Sequence, residues 1–179
     1  MIYLFLANGF EEVEALAPLD VLRRAGETVR TVGVCGRTIV GSHGVPVVCD
    51  DTADALPDGT PDGVILPGGM PGTRNLDASA VVCDTVLAVH AAGGLVCAIC
   101  AAPSVLGHLG ILEGKSATCF PGFEQELTGA FVSALSVVRD GNVITAKGAG
   151  VALDFGFEIV SALCGAEKAA SLRSAMQCR

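Results

Sequence analysis

The 179-residue sequence predicts one doubly wound α/β domain, spanning residues 1–179, with a mostly parallel central sheet. Three short, continuous apolar runs, at residues 2–7, 63–66 and 95–99, are typical of strands that are buried on both faces. Helical patterns separate these runs, and strands that alternate with helices indicate βαβ units. Glycine and proline residues are spread between short elements, so no linker divides the chain.

Helical patterns occupy five segments. The first, residues 11–25, contains Pro18, which predicts a kink or a restart of the helix at that position. The other helices are predicted at residues 78–92, 101–109, 151–163 and 166–176. Further strands are predicted at residues 28–34, 38–40, 45–48 and 116–119. Residues 132–146 predict a hairpin that turns at Asp140 and Gly141.

Charge and composition narrow the function. The chain carries 11 Lys and Arg residues against 19 Asp and Glu residues, for a net charge of −8. We therefore expect no nucleic-acid partner and no membrane partner, because nucleic acids and anionic membranes require a basic face. No run approaches the ~18 apolar residues of a membrane helix. The amino terminus lacks the basic segment of a signal peptide, so we expect a cytoplasmic protein whose eight cysteines are reduced.

Cys100 is the first candidate for the functional site, because ligands bind beyond the carboxyl ends of parallel strands. It directly follows the apolar run 95–99 and precedes a helical pattern, with Ala98 and Ala102 two residues to either side. A nucleophile at a sharp strand-to-helix turn requires such small neighbours, and the helix dipole favours the thiolate. We therefore predict that Cys100 is a reactive thiol, with burial as a small core residue as the alternative.

Cys97 forms a C-x-x-C pair with Cys100. A thioredoxin-like redox pair has both thiols at the helix start, whereas Cys97 lies inside the apolar run, so we expect it to be buried and inert. No second pair of ligands with suitable spacing accompanies the two cysteines. The sequence thus predicts no metal, and the expected chemistry requires no organic cofactor.

Two further strand ends supply candidate partners for the sulfur. Gly68 and Gly69 follow a buried strand, and their backbone N–H groups are suited to an oxyanion hole; an ordinary turn is the alternative. Glu11, Glu12 and Glu14 follow the first strand. A carboxyl group beside a thiolate has a raised pKa and can donate a hydrogen bond to it. Spacing does not select one of the three.

Four motifs occur in order along the chain: NGFEEVEALAPLDVLRRAG at residues 8–26, VILPGG at 64–69, AICAAP at 98–103 and KGAGVALDFGFEIV at 147–160. Together they resemble the ThiJ/PfpI superfamily, in its Parkinsonism-associated deglycase (ThiJ-like) branch. The similarity covers nearly the whole chain and implies a flavodoxin-like three-layer sandwich and a homodimer.

The same resemblance implies roles for individual residues. Cys100 is the counterpart of the family's nucleophile, and Glu14 is its protonated partner. The backbone N–H groups of Gly69 and Ala101 are implied to face the bound oxygen. Relatives with protease or amidotransferase-like activity carry a histidine directly after the cysteine, where this chain has Ala101. Some members of the deglycase branch also have a histidine where this chain has Phe120, so an expected proton-transfer group is missing.

Three functions follow from these expectations. The first is a cofactor-independent, cysteine-dependent glyoxalase or deglycase acting on a small carbonyl substrate, a 2-oxoaldehyde or its adduct, and converting methylglyoxal to lactate. The second is an oxidative-stress sensor or chaperone-like protein in which Cys100 oxidises to a sulfinic acid. The third, a cysteine hydrolase, requires a histidine. His43, His90 and His108 have no spacing that places them beside the thiol.

Overall fold

A seven-stranded sheet forms the centre of the computed structural model, which describes residues 1–57 and 59–178. The strands of the chain are β1 (Ile2–Leu6), β2 (Val29–Gly33), β3 (Thr38–Val40), β4 (Pro46–Val48), β5 (Asp51–Thr52), β6 (Gly63–Leu66), β7 (Leu95–Ile99), β8 (Ser116–Ala117), β9 (Phe131–Val132), β10 (Val137–Asp140) and β11 (Val143–Ala146). The central sheet has the order β10-β11-β7-β6-β1-β2-β5. Only β10 runs antiparallel to its neighbour, so the predicted α/β class with a mostly parallel sheet is confirmed.

Helices cover both faces of this sheet. They are α1 (Glu12–Ala25), α2 (Gly72–Asp77), α3 (Ala80–Ala91), α4 (Pro103–His108), α5 (Ala152–Cys164) and α6 (Ala166–Ala175). The side chains of β1 alternate between two cores, as the pleat of a strand requires. Leu4 and Leu6 pack in one core with α1 and α5, while Tyr3 and Phe5 pack in the other with α3 and α4. The continuous apolar runs of the sequence therefore reflect burial on both faces.

Helix α1 continues through Pro18 without the predicted restart. An interior proline removes one helical hydrogen bond and costs about 3 kcal/mol in isolation. Here α1 packs closely on α5 at Gly156, where an added Cβ would lie only 3.0 Å from the Cα of Pro18. Leu19, Val21 and Leu22 are buried in the same helix. Tertiary packing of this apolar face therefore outweighs the local defect.

Several local predictions differ from the structure. Strand β5 and helix α2 had no clear sequence signal, and both are short. The predicted strand at 116–119 is reduced to β8, which pairs with β9 outside the central sheet. In the β10–β11 hairpin Asp140 pairs with Val143, so the turn lies at Gly141 and Asn142, one residue later than predicted. Among the described residues, no helix is long and apolar enough to cross a membrane.

Candidate active site

The residues that follow β1, β6 and β7 meet at one edge of the central sheet. Strand β2 lies on one side of β1 in the sheet, whereas β6 and β7, which come later in the chain, lie on the other side. The order in which strands are added to the sheet therefore reverses between β1 and β6. Such a reversal leaves a crevice at the carboxyl ends of the strands. A backbone hydrogen bond joins two of the segments that line this crevice, since the N–H of Glu11 donates to the carbonyl oxygen of Gly68 at 2.9 Å.

Cys100 lies directly after β7 in the left-handed backbone region, with φ +66°. Non-glycine residues rarely adopt this conformation, which costs of order 1–3 kcal/mol unless neighbouring contacts impose it. Two backbone hydrogen bonds of 2.8 Å do so, from Cys100 N–H to the carbonyl of Ala146 and from Phe120 N–H to the carbonyl of Cys100. The turn continues through Ala101 and Ala102, both buried. The backbone therefore turns sharply at Cys100, between the end of β7 and the start of α4.

The helix after this turn begins later than the sequence predicts. Helix α4 starts at Pro103, three residues beyond the sulfur, and has only six residues. Its dipole is therefore a weak source of stabilisation for a thiolate, because such an effect is confined to the first turn of a helix. Backbone N–H groups act instead, since those of Gly69 and Ala101 point to the sulfur of Cys100 and lower the pKa of its thiol.

Gly68 and Gly69 allow the loop after β6 to pass close to the thiol. A Cβ added to Gly68 would lie 2.6 Å from the Cβ of Cys100 and 2.6 Å from Oε2 of Glu14. Gly69 has φ +88°, and a Cβ there would lie 2.6 Å from the carbonyl oxygen of Gly9. All three separations are far closer than ordinary van der Waals contacts, so a side chain at either position would have to displace its neighbours.

Glu14 is the carboxyl group that reaches the thiol, although it belongs to a helix that starts two residues earlier. Its side chain is almost completely buried, and Oε2 accepts a hydrogen bond of 2.9 Å from the N–H of Gly68. The thiol-bearing residue lies beside it, since a Cβ added to Gly68 would be 2.6 Å from both Oε2 of Glu14 and the Cβ of Cys100, and Cys100 influences the pKa of Glu14. The structure thus selects among the three glutamates that the spacing left open, on the basis of contact.

Burial governs the titration of the pair. It raises the pKa of Glu14 to about 7, against the opposing hydrogen bonds from Cys100 and the N–H of Gly68. Burial and the neighbouring Glu14 carboxylate raise the pKa of Cys100 to about 12, against the N–H groups of Gly69 and Ala101. A buried pair of this kind accommodates one negative charge more readily than two. Near neutral pH, Glu14 is therefore the group that exchanges a proton while Cys100 rests as a thiol.

A cavity of about 350 Å³ opens above the thiol. Its lining combines the two carboxyl groups, the sulfur, the loop glycine and several apolar side chains: Glu11, Glu14, Gly69, Met70, Cys100, Ala101, Phe120, Phe123 and Ala149. Cavities of this size hold small organic ligands. All three predicted strand ends therefore contribute to one pocket, together with Phe120, which follows β8 outside the central sheet.

No histidine lines this pocket within the described part of the chain. His90 contacts Asn142, at 3.3 Å from Nδ1. His108 lies between two carboxylates, with Nδ1 2.9 Å from Asp77 and Nε2 2.9 Å from Glu126. Because a cysteine hydrolase of the Cys-His type needs a histidine beside the thiol, the site lacks that partner among these residues.

His43 belongs to a neighbouring cluster with Glu11 and Glu12, the one group of potential metal ligands that the described residues form. Oε1 of Glu12 accepts from the N–H of His43 at 2.8 Å, and its Oε2 contacts Nδ1 of the same residue at 2.9 Å. These hydrogen bonds, opposing its burial, lower the pKa of Glu12 to about 2. The carboxylate is already satisfied by the loop that it caps, so the cluster has a structural explanation.

The other cysteines are separate from the site. Cys97 is buried within β7, as expected, and burial raises the pKa of its thiol far above the usual range. Cys35 and Cys164 are exposed on the surface. Cys100 alone among the eight lines the pocket.

Comparison with known proteins places this geometry in context. Residues 1–162 match the profile of the DJ-1/PfpI family. The chain is 39% identical to protein dj-1beta of Drosophila melanogaster over 166 residues, which cover 91% of this chain and 89% of that protein. It is 35% identical to the glutathione-independent glyoxalase DJR-1.2 of Caenorhabditis elegans over 164 residues, or 90% of this chain and 87% of that protein.

A solved structure of oxidized DJ-1 from Toxoplasma gondii superposes on the chain with a TM-score of 0.95 at 30% sequence identity. The superposition covers 99% of this chain and 97% of that one. The order of the elements and the position of the crevice therefore belong to a shared fold, as the four sequence motifs predicted.

Proposed function

Since the chain belongs to the DJ-1/PfpI family, we propose that it is a cofactor-independent glyoxalase or deglycase that uses Cys100 as nucleophile and Glu14 as proton carrier. The observation that carries this proposal is the position of the buried Glu14 carboxyl group beside Cys100: a single added Cβ on Gly68 would lie 2.6 Å from Oε2 of Glu14 and 2.6 Å from the Cβ of Cys100. Burial raises the pKa of this carboxyl group to about 7. A proton-transfer group is most effective when its pKa lies near the working pH.

The first step is addition of the thiol to the aldehyde carbon of a 2-oxoaldehyde. The Glu14 carboxylate takes the proton of Cys100 as the carbon–sulfur bond forms, so no free thiolate has to accumulate. The aldehyde oxygen becomes negative and takes this proton from Glu14, which gives a hemithioacetal and restores the Glu14 carboxylate for the next step. The N–H groups of Gly69 and Ala101, which point to the sulfur, are suited to stabilise that oxygen.

The second step moves a hydrogen from the former aldehyde carbon to the neighbouring ketone carbon. Glu14 removes the proton from the carbon bonded to sulfur, and the resulting enediol is reprotonated at the neighbouring carbon. The product is a thioester of a 2-hydroxy acid. One water molecule hydrolyses it, which releases lactate when the substrate is methylglyoxal and restores the thiol of Cys100. No electron leaves the system, and the net change is addition of water.

Lactate formation from methylglyoxal tests this proposal. Purified wild-type protein should form lactate, and the Cys100→Ser and Glu14→Gln variants should each lose at least about a hundredfold in kcat/KM, the typical scale for a lost proton-transfer group. Cys35→Ser is the matched control, because Cys35 is exposed and lies outside the pocket. Equal lactate formation by Cys100→Ser and wild type would disprove the proposal.

Controlled oxidation of Cys100 is the second candidate function. It is supported by the partial exposure of the thiol and by the position of the Glu14 carboxyl group beside Cys100, where it can hydrogen-bond to the oxidised product. Two equivalents of hydrogen peroxide would convert the thiol to a sulfinic acid and release two water molecules. The protonated carboxyl of Glu14 would then donate a hydrogen bond to a sulfinate oxygen. The solved structure of DJ-1 from Toxoplasma gondii is that of an oxidized protein.

Peptide mass analysis after mild peroxide treatment tests the oxidation. Gain of two oxygen atoms at Cys100, while the exposed thiols Cys35 and Cys164 stay reduced, supports the sensor. Faster oxidation of those two thiols than of Cys100 counts against it, because their oxidation would reflect exposure alone. Activity and oxidation are compatible, so each experiment is interpreted by itself.

The proposal also includes a homodimer in the cytoplasm, where thiols are kept reduced. Val13 and Leu16 support the dimer, because both are apolar and exposed on α1, on the outer side of a helix whose inner face is buried. Light scattering after gel filtration measures the mass in solution. Val13→Asp should lower that mass to one chain, whereas a monomeric wild type would contradict the dimer.

A further inference from the structure

The part of the pocket that lies beyond the thiol is apolar and partly aromatic. Met70, Phe120 and Phe123 line it, and the side-chain charges in the lining are the carboxyl groups of Glu11 and Glu14. No Lys or Arg of the described chain contributes to the lining. The pocket therefore offers an apolar wall to a substituent and repels a second negative charge on the substrate.

Phe120 is held next to the reacting sulfur. Its backbone N–H donates to the carbonyl oxygen of Cys100 at 2.8 Å, so the two residues keep a constant separation. Gly148 faces the ring, since an added Cβ there would lie 3.2 Å from Cδ2 of Phe120. The ring is nevertheless 48% exposed, which leaves apolar surface that a ligand can cover.

We propose that Phe120 makes this site selective for uncharged 2-oxoaldehydes with an aromatic substituent, such as phenylglyoxal, over methylglyoxal and over anionic carbonyl compounds such as glyoxylate. This inference rests on the glyoxalase activity proposed above. When Cys100 adds to the aldehyde, the substituent on the second carbonyl has to be accommodated in the same cavity, which Phe120 and Phe123 also line. An aromatic ring there gains an offset or edge-to-face contact that a methyl group cannot make.

Competing substrates test the selectivity. We expect kcat/KM of the wild type to be higher for phenylglyoxal, measured as mandelate, than for methylglyoxal, measured as lactate. Phe120→Ala and Phe120→Leu should lower this ratio about threefold to tenfold, the range of a lost aromatic pair. Phe131→Ala is the control, because Phe131 is an exposed phenylalanine outside the pocket and should leave the ratio unchanged. An unchanged ratio in Phe120→Ala, or a wild type that prefers methylglyoxal or glyoxylate, would overturn the inference.

A measurement without turnover separates this inference from the activity on which it rests. Acetophenone carries the aromatic ring but no aldehyde, so it can occupy the pocket without completing the reaction. It should slow alkylation of Cys100 by iodoacetamide in the wild type, and less so in Phe120→Ala. Acetone should not slow it in either protein. Protection by acetophenone with no turnover of either 2-oxoaldehyde would support the aromatic subsite and refute the glyoxalase. Turnover of both compounds without protection would refute the subsite alone.

Discussion

Replacing Gly68 with alanine perturbs both proposed catalytic groups at once. The new Cβ would lie 2.6 Å from the Cβ of Cys100 and equally close to Oε2 of Glu14. Ordinary contacts between heavy atoms are about 3.5–4.0 Å, so at least one of these groups has to withdraw by roughly 1 Å. The backbone of Gly68 is not in the left-handed region, so the perturbation is one of space and not of conformation.

The expected loss of activity is much larger than the loss of stability. A displacement of about 1 Å between reacting groups reduces rates about a hundredfold. One extra methyl group in a packed region costs about 1–3 kcal/mol, and each kcal/mol lowers the Tm of a chain of this size by about 2–4 °C. Gly68→Ala should thus remain folded at room temperature while kcat/KM for methylglyoxal falls about a hundredfold.

Gly150→Ala is the matched control. This glycine lies in the short 3-10 helix Ala149–Val151 beside the site, has no left-handed backbone angle, and has no atom within 4 Å of an added Cβ. Lactate formation and thermal unfolding by circular dichroism are measured for both variants and for the wild type. If Gly68→Ala retains activity within about threefold of Gly150→Ala, the close approach of the loop to Cys100 is not needed and the reasoning fails.

Three further predictions concern charge and packing. Burial raises the pKa of Glu14 to about 7, so the folded state binds more protons than the unfolded state above its ordinary pKa of 4.5. The free energy of unfolding of the wild type should therefore decrease by about 2.5 kcal/mol from pH 5 to pH 8, relative to Glu14→Gln. Urea unfolding at both pH values checks this, and parallel curves would contradict it. The contact with Glu126, followed by that with Asp77, raises the pKa of His108. Protonated His108 therefore stabilises the folded state fully below about pH 6.5, and this contribution is lost as the pH rises through the raised pKa. His108→Gln should cost about 0.5–1 kcal/mol at pH 6, as expected for partly exposed ion pairs, and less at pH 9; a larger cost at pH 9 would reverse the assigned sign. Phe155→Ala should lower the free energy of unfolding by about 3–5 kcal/mol, because the side chain of Phe155 on α5 is fully buried in the core. A urea midpoint like that of the wild type would show that the core rearranges to fill the space.

Local patterns were sufficient for the framework of the molecule. The runs at β1, β6 and β7 are apolar on both faces, and this is a property of each segment that the sequence shows directly. The position of Cys100 after such a run, between small residues, also predicted a sharp turn; the left-handed φ of +66° at Cys100 became known only from the structure. Short elements such as β5 and α2 gave weaker patterns, because two to six residues carry too little periodicity to distinguish them from a loop.

Contacts between distant segments required the tertiary structure. His108 looks like an ordinary helix residue in the sequence, and only the fold brings Asp77 and Glu126 to its two ring nitrogens. For Phe120, the resemblance had already indicated a position at the site, where some relatives have a histidine; the structure adds that the residue lines the pocket of the thiol although it follows a strand outside the central sheet. Sequence spacing carries no information about such pairs, because residues far apart in the chain meet only when the elements pack.

Cys100 and Glu14 show which properties of the site the sequence determines and which require the tertiary structure. The sequence by itself determined that a cysteine stands at a strand end and that three glutamates follow another strand, since both facts depend on neighbouring residues. Resemblance to a family selected Glu14, and the structure brings its carboxyl group to the thiol, 86 residues further along the chain. Only the tertiary structure decided that the pair is buried, and burial is the physical reason that the pKa of Glu14 rises to about 7.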